Sequence, residues 1–342
     1  MVAIAVLILN FLHPNMAISY QHNYPGPPWY QFNGHLQTIF AAIGGPEVNY
    51  RRERLELDDG DFLDIDWLHQ QQAANNLVIL THGLEGNSQR PYIRSAAHFF
   101  HERGWDVIAW NCRSCSGEMN RTLRLYHHGE IGDIHTVTTH ALDQGQYQQV
   151  VFVGYSMGGA MLTKYLSVHH QTLPDAVLGG IAYSSPYDLA AGVDALELPG
   201  NGIYKKRFLR QLGGKLQEKA KRFPGVIDIT KLERVKTWRD FDEWFTAPLL
   251  QLSSAKEFYD IASAKNFVST LNRPVLAVNA LNDPIITDDC LPLAEAPNHP
   301  FLQLEITEEG GHVGYQMRGQ KEKNWMNLRA WEEIGKWMGN GL

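Results

Sequence analysis

The stretch Val150–Leu162 reads VVFVGYSMGGAML. Its one hydroxyl candidate for nucleophilic chemistry is Ser156, set in Gly154-Tyr155-Ser156-Met157-Gly158. Four residues fit for a buried strand precede the pentapeptide, and small apolar residues that open a helix follow it. A serine between glycines at such a junction is forced into a strained turn. The glycines let strand and helix approach, and the helix N-terminus turns N–H groups and a positive dipole end toward the hydroxyl. The pentapeptide alone also fits a tight turn with an incidental serine; the strand before it and the helix after it carry the nucleophile reading.

A serine at its free pKa needs a base. Gly310-Gly311-His312-Val313-Gly314 supplies one, in a glycine-rich loop after the last apolar run and before the last helix. His299 is the rival, but it precedes that run in a Pro-Asn-His-Pro turn. A base needs an orienting carboxylate. Asp283, in Leu281-Asn282-Asp283-Pro284, follows the run Val275–Val278 and so falls at the end of a strand where catalytic groups gather in parallel sheets. Asp288 and Asp289 are alternatives, and Asp188 is a weaker one. The order Ser156, Asp283, His312 suits one established arrangement of this chemistry. An oxyanion needs donors: His82-Gly83-Leu84 follows an early strand, and the backbone N–H groups of Leu84 and Met157 are assigned to it. His128 and Asp133, five apart, match acyltransferase spacing, against the plainer reading of a loop that anchors the next helix.

The elements that must hold these residues are legible as patterns. Asp61–Leu68 alternates as a strand with one polar face. The runs 77–81, 107–110, 150–153, 177–183, 275–278 and 301–306 are largely apolar, of the kind seen in strands buried on both faces. Helical periodicity fills most gaps, at 93–103, 134–142, 157–168 and 325–338. This alternation predicts a mostly parallel sheet with helices on both faces. Between Tyr183 and Val275 lie about ninety residues, where a crossover needs about a dozen. That stretch, rich in Lys and Arg (Lys205, Lys206, Arg207, Arg210) and in aromatics, reads as a helical insertion over about 186–265, a lid. Trp244 and Phe245 are its candidates for lining an acyl pocket over Ser156.

With 342 residues and a net charge of −7, the chain is ample for one large α/β domain. It has no long basic run, which argues against nucleic acid as a partner. Its cysteines, Cys112, Cys115 and Cys290, lack the further ligands of a zinc site and suit reduced thiols in a cytoplasm. No metal and no organic cofactor is expected. The run Met1–Leu12 is apolar but for Asn10, short of the ~20 residues of a spanning helix and without a basic region before it. No stable membrane span is expected, and weak membrane association through this run at most. Met16 offers a second start. The composition assigns no oligomeric state.

Beside this reading, the chain resembles the α/β-hydrolase fold, in particular the group of YheT-like bacterial hydrolases and ABHD1/ABHD3-type eukaryotic lipases. The resemblance rests on NGHLQTIF (33–40), THGLEGNS (81–88), CSGEMNRTLRLYHHGEIGDI (115–134), GYSMGG, NALNDPI and GGHVGY. It spans about 24–338. One departure is Arg113-Ser114-Cys115-Ser116-Gly117, where the group favours Arg-Gly-Cys-Ser-Gly. The resemblance implies an eight-stranded type of sheet with a lid, an N-terminal extension over 1–23 before a hydrolase domain over 24–342, and a carboxylic ester hydrolase. The enzyme would form an acyl-enzyme on Ser156 from a small acyl ester, a lipid ester among the candidates. Acyl transfer by the same residues, and a non-catalytic binding module, are the other readings.

Overall fold

The structure is a computed structural model and describes residues 18–20, 22–145 and 147–339. The apolar run at 1–12 lies outside the described residues. Nine strands form one sheet: β1 (Ile18–Ser19), β2 (Arg51–Glu56), β3 (Phe62–Leu68), β4 (Asn76–Thr81), β5 (Asp106–Asn111), β6 (Gln149–Tyr155), β7 (Val177–Tyr183), β8 (Val275–Ala280) and β9 (Leu302–Thr307). Their order is β1-β9-β8-β7-β6-β4-β5-β3-β2. β3 runs antiparallel to both its neighbours, and the other pairs are parallel.

The apolar runs are central strands because both faces are covered. In β4, Leu77 and Ile79 join one core while Val78 and Leu80 join the other. The first core receives Ile134 and Val137 of α3 (Gly132–Gln144) and Met161 and Leu162 of α4 (Met157–Val168). The second receives Ile93 and Phe100 of α2 (Pro91–His101) and Trp325 and Ile334 of α10 (Trp325–Trp337).

Three elements differ from the pattern. β1 adds a ninth strand to the eight of the resemblance: residues from the stretch expected as an extension pair with Leu304 and Glu305, covering the edge of β9. β2, with sequence RRERLE, was not expected. Its charges suit an edge strand, and all six of its residues pair with Phe62–Trp67 of β3. The polar face of β3 is thereby buried: Arg52 and Arg54 make two-pronged ion pairs with Asp66 and Asp64, each only 2 % exposed. The third is α1 (Gly34–Ala41), capped by Asn33 accepting from the N–H of Leu36.

The insertion between β7 and β8 is helical: α5 (Leu189–Ala195), α6 (Gly202–Arg222), α7 (Trp238–Phe241), a π-helical turn (Asp242–Thr246), α8 (Ala247–Leu249) and α9 (Ala255–Ala262). Leu216, Phe241 and Phe245 form a small core of its own. Among the described residues no helix is long and apolar enough to cross a membrane.

Candidate active site

Ser156 joins β6 to α4 with φ 55° and ψ −123°, a left-handed φ that L-residues rarely take. The flanking glycines are required by close approach. A Cβ on Gly154 would stand 2.4 Å from the Gly158 carbonyl oxygen, and one on Gly158 would stand 2.3 Å from that of Thr81. The turn therefore closes only if both positions lack side chains.

After β8, the Asp283 side chain is fully buried; its Oδ1 accepts from the N–H groups of Ile285 (2.8 Å) and Ile286 (3.1 Å). After β9, His312 Nδ1 lies 2.9 Å from Asp283 Oδ2. Two backbone donors and the ring thus fix this carboxylate, and Nδ1–H donating to it leaves Nε2 as the free acceptor. His299 sits at the opposite end of β9. Asp188 pairs with Lys265, and Asp288 and Asp289 lie in a 3₁₀ turn.

The motif NGHLQTIF, which sequence reasoning quoted without giving it a role, braces both loops. Thr38 Oγ1 accepts from the His312 N–H (2.9 Å). Gln37 Oε1 accepts from the Gly310 N–H (2.9 Å) and from Asn282 Nδ2 (3.0 Å). Asn282 Oδ1 in turn accepts from the Gly311 N–H (2.9 Å). The signal for this was the polar pair Gln37 and Thr38 between the apolar residues Leu36 and Ile39 of the helix.

The loop after β4 passes beside the serine: a Cβ on Gly83 would lie 3.0 Å from Ser156 Cβ. No acceptor among the described residues takes the N–H of Leu84 or of Met157, so both donors stay available at the turn. Their neighbours are held. Tyr92 Oη accepts from the Gly83 N–H (3.3 Å), and Tyr126 Oη accepts from the Glu85 N–H (2.8 Å). Lys215 of the lid reaches Glu85 Oε1 at 2.6 Å, tying α6 to this loop.

His82 sets the direction of the loop. Its Nε2 accepts from the Cys112 N–H (3.1 Å), so the proton is on Nδ1, which donates to the Gly83 carbonyl (2.7 Å). Burial pushes its pKa down to about 4. A second proton would set Nε2–H against the Cys112 N–H. The folded pKa is depressed below the ordinary value near 6.5. This contribution to stability is therefore complete above pH 6.5 and is lost as pH falls through about 4. Thermal unfolding followed from pH 7.5 to 4 should show a falling Tm, with a smaller fall in His82→Asn.

The sequence pattern of the family described as "alpha/beta hydrolase fold" matches residues 76–315. The chain belongs to this family. It is 31% identical over 289 residues to "Putative esterase YheT" of Escherichia coli (strain K12), covering 83% of this chain and 84% of that one. It is 27% identical over 313 residues to "Phospholipase ABHD3" of Mus musculus, covering 89% and 76%. Both relatives fall in the group that the sequence resembles. Among solved structures, the Pyrococcus furiosus esterase Pf2001 superposes with a TM-score of 0.54 at 14% identity, covering 93% of this chain and 99% of that one, a likeness of fold. The protein is a hydrolase of this family.

In this hydrolase the helical insertion borders an apolar cavity of about 60 Å³. Leu84, Leu212, Leu216, Phe241, Phe245 and Phe258 are among its walls. Phe245, one of the two aromatics expected over Ser156, lines this cavity, whose walls include none of Ser156, Asp283 and His312. Trp244 is not among its walls; it packs on the lid's small core with the Arg234 guanidinium 5.8 Å from its ring. His128 also lines the cavity, but Asp133 is not its partner. The Asp133 carboxylate holds Arg113 in a two-pronged pair (2.9 and 2.8 Å), and Arg113 also reaches Asp61 at 3.0 Å. Asp133 thus belongs to a buried charge network that does not include His128. The departure at Ser114 falls at φ 64°, which explains the group's glycine; here the Ser114 hydroxyl bonds the Asn120 side chain and accepts from its N–H.

Proposed function

We propose that the protein is a serine carboxylic ester hydrolase. Ser156 Oγ attacks the acyl carbonyl, and His312 Nε2 takes its proton. Asp283 holds the imidazole in the required tautomer and balances the imidazolium. The N–H groups of Leu84 and Met157 receive the oxyanion. His312 then gives the proton to the leaving alcohol, and water, activated by the same imidazole, releases the acyl group from Ser156. This chemistry calls on no cofactor. The left-handed backbone of Ser156, kept where a strained residue needs a reason, carries the reading. The Asp283–His312 pair supports it, as do the printed names of the relatives, an esterase and a phospholipase. A fluorophosphonate probe tests it: folded wild type should be labelled and Ser156→Ala should not, and an unlabelled wild type would overturn it.

The acyl chain is assigned to the lid cavity, since Leu84 is both an oxyanion donor and one of its walls. Each methylene buried gains up to ~0.8 kcal/mol, about fourfold in kcat/KM. The cavity is small beside the ~300 Å³ at which ligand pockets begin. We therefore expect kcat/KM on p-nitrophenyl esters to rise from acetyl and stop at about hexanoyl. Phe245→Ala, by removing a wall, should move the optimum about two or more carbons further. A preference for acetyl in both proteins would remove the cavity from the acyl site.

A further inference from the structure

Helix α1 is turned inside out. Gly34, Gln37 and Thr38 face the protein and hold the loops of Asp283 and His312. Its outer side carries Ile39 (44 % exposed) and continues into Ile43 (60 %), with Phe32 (75 %) and Trp29 (84 %) just before the helix. A helix against water places such residues the other way round. Two neighbouring segments extend the apolar surface. Gly200 sits against His35 of α1, which brings up the exposed Leu198 and Ile203. Asn282 sits against Gly34, which brings up the exposed Leu281. Seven of the twelve exposed large apolar residues among the described ones therefore gather around this helix. A contiguous patch of this kind marks a contact surface, whereas scattered single residues do not.

Charge selects the occupant. On α6, one and two turns beyond Ile203 and on the same exposed side, stand Lys206, Arg207 and Arg210. None of the three has an ion-pair partner among the described residues, while their neighbour Lys205 is paired with Glu197 at 2.6 Å. Beside Ile43, Arg94 donates to the Gly44 carbonyl (2.7 Å) and likewise has no carboxylate partner among the described residues. Four cations without a carboxylate partner among the described residues thus flank an apolar, Trp-bearing face in a chain whose net charge is −7. Aromatic and aliphatic side chains flanked by Lys and Arg are the chemistry of a bilayer interface with anionic headgroups.

We propose that this face docks on a lipid bilayer carrying anionic headgroups, with Trp29, Phe32, Ile39 and Ile43 entering the interfacial layer and Lys206, Arg207, Arg210 and Arg94 meeting phosphates. Because the inner side of α1 holds His312, docking presents the candidate site to the layer where acyl esters reside. The docking itself is independent of the proposed hydrolysis and is read without it.

The test is co-sedimentation of the full-length protein with vesicles of phosphatidylcholine mixed with phosphatidylglycerol, against phosphatidylcholine alone. Wild type should bind the anionic vesicles, less so as salt is raised. Trp29→Ser with Phe32→Ser should lower the partition coefficient by about tenfold or more at unchanged Tm. Lys206→Gln with Arg207→Gln and Arg210→Gln should remove the preference for anionic vesicles. All these proteins keep residues 1–17, so differences among them read the α1 and α6 face. Wild type that stays in solution, or apolar variants that bind as wild type does, would overturn the proposal. So would a wild-type dimer in sedimentation equilibrium that Trp29→Ser with Phe32→Ser dissociates without any vesicle binding, since the face would then be an interface between copies.

Discussion

Ser156→Ala is expected to lower kcat on acyl esters by about 10⁶, leaving on the order of 10³ over the uncatalysed rate from the oxyanion donors and binding. The fold should not notice, because alanine has the same Cβ to place at φ 55°. Ser156→Gly separates strain from chemistry: it should be equally inactive but more stable, by about 1 kcal/mol, since glycine takes a left-handed φ without cost. Activity measured beside urea unfolding of both variants checks this. Asp283→Asn should lose about 10⁴, because an amide in place of the carboxylate turns the imidazole to the wrong tautomer. Near wild-type activity in Asp283→Asn would pass the role of acid to another carboxylate, with Asp288 the next to examine.

Ser156, Asp283 and His312 were legible as candidates because each follows a strand whose two faces are both buried. Such strands are written as largely apolar runs, broken in β9 by Gln303 and Glu305, and in a parallel sheet their C-terminal ends lie along one edge. β2 was illegible for the opposite reason. It is an edge strand, and its arginines act by neutralising Asp64 and Asp66 on another strand, a pairing between residues 10 and 14 positions apart. Lys219 shows the same limit in the lid. A lysine-rich helix reads as a solvated surface, yet Lys219 is fully buried and donates to the carbonyls of Asn120 (2.8 Å) and Thr122 in the CSGEMNRT segment. Burial pushes its pKa down to about 8. Only the meeting of two distant segments tells this lysine from its exposed neighbours. The tautomer of His82 is of the same kind, since Cys112 sets it from the next strand.

Gly34→Ala is expected to cost about 10² or more in kcat/KM although Gly34 touches no substrate. A Cβ there would stand 1.8 Å from the carbonyl oxygen of Asn282 and 2.9 Å from its carbonyl carbon. These are backbone atoms, so no side chain can swing aside; either α1 or the residue before Asp283 must move by more than 1 Å. Both movements reach the same point. Moving α1 carries Thr38 and Gln37 away from the N–H groups of His312 and Gly310, and moving Asn282 carries Asp283 away from His312. A displacement on the order of 1 Å in a catalytic group costs about 10² in rate. The loss should fall on kcat more than on KM, because the cavity assigned to the acyl chain is lined from the insertion, from the loop after β4 and from residues 125–128, and α1 contributes nothing to it. Thr38→Ser, which keeps the hydroxyl, should retain most of the rate, while Thr38→Val, which leaves the His312 N–H without its acceptor, should lose about tenfold or more. Equal loss in Thr38→Ser and Thr38→Val, or a Gly34→Ala enzyme with wild-type kcat, would mean that α1 only packs against these loops and does not set their geometry.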